Sequence, residues 1–151
     1  MAEKVGAGFL FCCDGQALLL KRNSKHNDKT WGLPGGNCDP GEDALSCAVR
    51  EASEELGHLP SQYQVIGQMT TRRGKRSQKV YSVFLSTIPL ETKDSYVPQL
   101  NKEHTEWSWF PINSIKSMAE ASVAREEEQL HPVVTALFLG ESQHMLKEVC
   151  A

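Results

Sequence analysis

GNCDPGEDALSCAVREASEELGH, residues 36 to 58, is the stretch from which the rest of the chain can be read. Its second half carries Glu51, Glu54 and Glu55, and Glu42 stands ahead of them. On a helix, positions three and four beyond Glu51 lie on its side, so the three carboxylates crowd together. Like charges so spaced repel, and a cation among them relieves the cost. Leu45, Ala48, Val49, Ala52 and Leu56 recur at helical spacing as the complementary apolar stripe. The expectation is a helix packed by one face and charged on the other. Ahead of it, Leu33-Pro34-Gly35-Gly36 and Asp39-Pro40-Gly41 read as loop, because these residues set unusual backbone angles. Gly57 supplies a helix stop, with Pro60 just beyond. A loop–helix–loop with clustered carboxylates suits a hard cation with oxygen ligands, Mg²⁺ or Mn²⁺.

The same run resembles the Nudix box. In that pattern Gly is followed after five residues by Glu and after seven more by Arg-Glu; a hydrophobic residue, a free position, Glu-Glu, another free position, Gly and a final hydrophobic residue complete it. Gly36, Glu42, Arg50, Glu51, Glu54, Glu55 and Gly57 fall on every fixed position. Ala52 is a small hydrophobic match, and His58 departs where an aliphatic residue is usual, with Leu59 beside it to take over the packing. The resemblance implies an α+β architecture, the Nudix fold, in which a mixed sheet is sandwiched between helices. The box itself covers about one sixth of the chain.

The resemblance also implies a chemistry. Glu51, Glu54 and Glu55 would hold divalent cations, helped by the Gly35 carbonyl. Arg50 would organise the site by pairing with Glu42 or Glu51. Family members often carry a further acid on a loop before a late strand, as metal ligand or base; Glu103 occupies that place, with Glu106 as runner-up. Glu54 or Glu103 would take the proton of the attacking water. The family splits a nucleoside diphosphate linked to another group, releasing a monophosphate. Signatures for ADP-ribose, dinucleoside polyphosphate and coenzyme A substrates are missing outside the box. Elimination leaves a MutT-like hydrolase of a nucleoside triphosphate, normal or altered.

At 151 residues, with 40 % hydrophobic and 23 % charged side chains, the composition fits one soluble globular domain spanning 1–151. A net charge of −3 argues against broad attraction to nucleic acid or membrane. The five cysteines are odd in number and include no CxxC pair, which favours thiols in a reducing compartment, by default the cytoplasm. No signal peptide or transmembrane run is visible. The expected partner is a small nucleotide, with a homodimer left open.

Along the chain, Val5 to Cys13 and Gln16 to Lys21 read as a hairpin turned at Asp14-Gly15. Lys21 and Arg22 leave its second strand heading toward the glycine loop, so they are expected to face polyphosphate. Gln64 to Thr71 and Lys79 to Ile88 alternate as strands around Arg72-Arg73-Gly74-Lys75-Arg76, which is either a solvated hairpin tip or a phosphate or RNA contact. Leu90 to Asn101 reads as loop, and Lys102-Glu103-His104 as a loop before a strand from Glu106 to Phe110. Trp107 either packs in the core or stacks on a base, and with Gly36 completes the substrate candidates. Helices are expected after Pro111, across Ser122 to Leu139 with a break at Pro132, and from Glu141 to Val149.

Overall fold

The computed structural model describes residues 4–25, 28–125, 129–140 and 146. Strands β1 (Lys4–Cys13) and β2 (Gln16–Arg22) form the expected hairpin. Asp14 and Gly15 turn it with φ of 51° and 72°, a conformation cheap for Gly and tolerated by Asp. The chain continues through β3 (Trp31–Gly32), β4 (Gly35–Asn37), α1 (Ala44–Leu56), β5 (Gln64–Arg73) and β6 (Lys79–Thr87). It ends with α2 (Leu90–Ser95), β7 (His104–Pro111), α3 (Ile112–Arg125) and α4 (Pro132–Leu139).

One seven-stranded sheet runs β3-β2-β1-β6-β5, with β4 beside β1 and β7 beside β2. β1 and β6 are parallel and the other pairs antiparallel, so the sheet is mixed. Successive side chains of β1 point to opposite faces, and both faces are covered. Phe9 and Phe11 join Leu18, Leu20 and Phe84 against Ala48, Ala52 and Leu56 of α1. Leu10 and Cys12 join Leu19, Val83 and Leu85 against Ile115, Val134, Leu137 and Phe138 of α3 and α4. Burial on both faces explains why β1 is a nearly continuous apolar run. The α+β sandwich is therefore the observed architecture.

Several local expectations are corrected. Gly35 to Asn37 is a strand, because Gly6 and Gly8 of β1 let its backbone approach; a Cβ at Gly8 would meet the Pro34 carbonyl oxygen at 2.6 Å. Leu90 to Ser95 is a short helix rather than loop. His104 belongs to β7, where it pairs across a bulge with Arg22. On α1, Leu45 is exposed, and Cys47 takes its place on the packed face. The helix starts at Asp43, whose carboxylate accepts the Ser46 N–H at 3.0 Å, and stops at Gly57 with φ 79°. Cys38 and Cys47 are joined by a disulfide, against the expectation of thiols throughout, while Cys12 and Cys13 remain thiols. The Cα atoms of Cys38 and Cys47 lie 5.2 Å apart, within bonding reach. The helix expected over 141–149 lies outside the described residues except for Leu146. No described helix is long and apolar enough to cross a membrane.

Candidate active site

α1 carries its acids in two ways. Glu51 and Glu55 follow Cys47 at steps of four, so they share the flank of the packed face. Glu55 is buried at 3 % exposure. The expectation that three acids would share one charged outer side is corrected here: Glu54 turns outward and its side chain is 58 % exposed.

Arg50 ties the loop to the helix. Its Nε and one terminal nitrogen each donate to Glu42 at 2.9 Å, a bidentate pair. Its other terminal nitrogen reaches Glu51 Oε1 at 2.9 Å and lies 3.7 Å from Glu54. The Asn37 carbonyl accepts a further bond at 3.2 Å. Arg50 and the Asp39 N–H hold the Glu42 carboxyl down at about 2. Arg50 therefore pairs with both Glu42 and Glu51.

The neighbouring acids are pushed the other way. Burial raises Glu51, against the pull of Arg50. Burial raises Glu55 to about 9, with repulsion from Glu103 and Glu51 adding to it. The Gly35 N–H donates to Glu55 Oε1 at 2.6 Å and offsets part of this cost, as does Arg22 more weakly. A buried carboxyl facing two other acids suits a cation, since the charged form then gains the counter-charge it lacks.

These acids face a cavity of about 370 Å³. Glu51, Glu55 and Glu103 line it together with Gly35, Gly36, Arg22, Arg73 and His131. Gly36 packs directly on Glu51: a Cβ there would stand 2.5 Å from Glu51 Oε2. The Nε atoms of Arg22 and Arg73 are buried without a hydrogen-bond partner. Burial lowers the Arg73 pKa from its ordinary value and brings His131 down to about 3.

The predicted residues thus divide. Arg22, Gly35, Gly36, Glu51, Glu55 and Glu103 line one cavity, while Arg50 stands behind Glu51. Glu54 does not line it. Two substrate candidates are corrected. Lys21 turns to Glu106 at 3.2 Å and sits 5.9 Å from the Trp31 ring centre, because β2 and β7 pair in that register. Trp107 packs against the core layer of Phe9 and Phe11 instead of the cavity. Arg73 and His131 were missed. Arg73 lay hidden inside a basic run, and the bond from the His131 N–H to the Trp31 carbonyl that seats it joins strands and helices far apart in the sequence.

The NUDIX domain family model matches residues 3–133. The putative 8-oxo-dGTP diphosphatase 3 of Mycobacterium tuberculosis is 28 % identical over 104 residues, covering 68 % of this chain and 48 % of that protein. This chain therefore spans about half the length of that relative. An RNA pyrophosphohydrolase of Shewanella piezotolerans is 22 % identical, with 93 % of this chain and 91 % of that protein covered. Among solved structures, a Nudix hydrolase from M. smegmatis, RenU, superposes with a TM-score of 0.66 at 26 % identity, covering 99 % of this chain and 86 % of that one.

Proposed function

Since the chain belongs to the NUDIX domain family, we propose that it hydrolyses a pyrophosphate bond of a nucleoside triphosphate, giving the monophosphate and pyrophosphate. The observation that carries this reading is one cavity lined by both acids and cations. Glu51, Glu55 and Glu103 are the acids, and Arg22 and Arg73 the cations. A polyphosphate bridged to a divalent cation needs both.

Glu51 and Glu55, with Gly35 and Glu103, are the residues that would hold the cation, Mg²⁺ or Mn²⁺. When bound it would neutralise the pyrophosphate charge and lower the pKa of a water. The rest falls to the chain. The guanidinium groups of Arg22 and Arg73, which line the cavity, would hold and orient phosphate oxygens. Arg50 fixes the Glu51 rotamer through its 2.9 Å bond while Glu42 holds Arg50 from behind. Glu103 lines the cavity and Glu54 does not, which favours Glu103 as the group taking the water's proton. Glu54 stands 3.7 Å from Arg50 at the exposed side of the helix.

Substrate choice follows the 8-oxo-dGTP diphosphatase relative and the absence of other signatures. Of the basic run from Arg72 to Arg76, Arg73 alone lines the cavity, which supports a small nucleotide over an RNA. The compartment remains the cytoplasm on this reading, where such nucleotides are made. The Cys38–Cys47 bond is a feature that a reducing compartment opposes.

The test is a panel of normal and oxidised nucleoside triphosphates, dinucleoside polyphosphates and 5′-triphosphate RNA, incubated with Mg²⁺ or Mn²⁺ and read for phosphate products. Monophosphate and pyrophosphate from a triphosphate, lost in chelator and in Glu103→Gln, support the reading. Turnover confined to the RNA, or unaffected by chelator, refutes it.

A further inference from the structure

We propose that His104 supplies an imidazole nitrogen ligand to a divalent cation held by Glu55, which makes the centre a mixed nitrogen–oxygen site that selects Mn²⁺ or a later first-row ion over Mg²⁺. The inference rests on the reading above that the acids of α1 hold a cation.

The His104 side chain is 1 % exposed, yet neither of its ring nitrogens has a hydrogen-bond partner. Leaving a buried polar group unpaired carries a desolvation cost, so each one in a native fold calls for an explanation. Its Nδ1 faces Glu55 Oε2 at 3.7 Å, beyond hydrogen-bond reach. The other oxygen of that carboxylate is engaged by the Gly35 N–H, so the carboxylate is anchored with Oε2 toward the imidazole.

That spacing has a simple reading. Two donors about 2.1 Å from one ion, at angles of about 90–120°, stand roughly 3.0–3.6 Å apart, close to the spacing seen here. Glu103 completes the set, since donor atoms of Glu55, Glu103 and His104 all lie within 4.8 Å of one another. Glu103 therefore bears on the same ion directly or through a water.

The identity of the donor decides the ion. Carboxylates and carbonyls suit Mg²⁺, whereas imidazole favours first-row transition metals. Three carboxylates alone would give an all-oxygen site, and adding His104 shifts the preference.

The experiment uses the full chain, free of any tag and stripped with chelator, titrated with Mn²⁺ and followed by electron paramagnetic resonance. Pulsed spectra of the bound ion should show coupling to ¹⁴N, replaced by ¹⁵N coupling when the protein is made with ¹⁵N-histidine. In His104→Gln, that coupling should vanish. Mn²⁺ affinity should then fall about tenfold or more, while Mg²⁺ affinity, read by competition, changes less than about threefold. An oxygen-only spectrum in the wild type overturns the proposal, and so does a parallel loss of Mn²⁺ and Mg²⁺ in the variant. Either result leaves the carboxylate reading standing. If neither ion binds the wild-type chain, both readings fall together. The wild-type spectrum decides even if the variant does not fold.

Discussion

Replacing Glu55 with Gln should make the metal-free protein more stable while removing its response to metal. Glu55 is buried, with its carboxyl raised from 4.5 to about 9 by burial and by Glu103 and Glu51. At pH 7 the unfolded chain carries this group ionised and the folded chain carries it protonated. The mismatch spans about 2.5 pH units at 1.36 kcal/mol each, so it costs folding about 3 kcal/mol. Gln keeps the shape, still accepts the Gly35 N–H and has no proton to bind. At about 2–4 °C per kcal/mol for a chain of this size, the gain in Tm is about 6–12 °C. The sign follows from a raised folded pKa. The wild type has its full stability below about pH 4.5 and loses it as pH rises toward 9, whereas the variant lacks that slope. The two should therefore melt together near pH 4.5 and separate by pH 8, measured by thermal denaturation in excess chelator. Saturating Mn²⁺ should raise the wild-type Tm and leave the variant nearly unmoved. A variant that melts at or below the wild type at pH 8 in chelator, or a gap equal at pH 5 and pH 8, would refute the reasoning.

Gly36→Ala puts a Cβ 2.5 Å from Glu51 Oε2 and 2.7 Å from its Cδ, so the carboxylate must swing aside. Steady-state kinetics should show kcat down at least about tenfold, with a stability loss of about 1–3 kcal/mol, and unchanged turnover would separate Glu51 from the chemistry. Arg50→Ala should lower both turnover and Tm, because it frees Glu42 and Glu51 together. Glu42 sits at about 2 in the folded chain, so its contribution is present above about pH 4.5 and lost as pH falls toward 2. The Tm gap between wild type and Glu42→Gln should close over that window, and a constant gap would show that the ion pair does not supply it. Arg73→Ser should cut kcat/KM for a nucleoside triphosphate about tenfold or more, while Arg72, Lys75 and Arg76 changed together to Ser should stay within a few fold. A large, salt-sensitive drop in the triple variant would put the hairpin tip at the mouth of the cavity.

The box helix was legible because periodicity, a glycine stop and fixed acids agree over a short run. The hairpin and the strands that cover it were legible for the same reason, since alternation and turn residues act locally. What stayed hidden depends on approach from elsewhere. β4 forms in a glycine run because Gly6 and Gly8 across from it carry no side chains. Glu55 looked equivalent to Glu54, and only packing of α1 on β1 and β4 buries one and exposes the other. Arg73 joins Arg22 because β5 reaches the cavity through β6 and β1. Trp107 could equally have faced a base, and the β2–β7 pairing assigns it to the core. The cysteine count pointed to thiols, because a count says nothing of two side chains meeting across a loop and one helix turn.

The parallel pairing of β1 with β6 has a consequence for how the chain comes off the ribosome. Each residue of β1 waits for the one 75 positions later, Lys4 for Lys79 and Cys12 for Thr87. At about 5–20 residues per second, that is a delay of roughly 4–15 s. Throughout it the β6 edge of β1 is open and the Leu10 face still lacks α3 and α4, a state prone to pair with another chain. The acids of α1 and the β4 glycines beside them are made before that edge closes, but Arg73, Glu103 and His131 of the same cavity are not yet in place. Nascent chains stalled between residues 60 and 79 should accordingly bind hydrophobic-surface chaperones and bind no metal; chaperone binding should fall once β6 has cleared the exit tunnel, and metal binding should begin only after Glu103 and His104 have followed it.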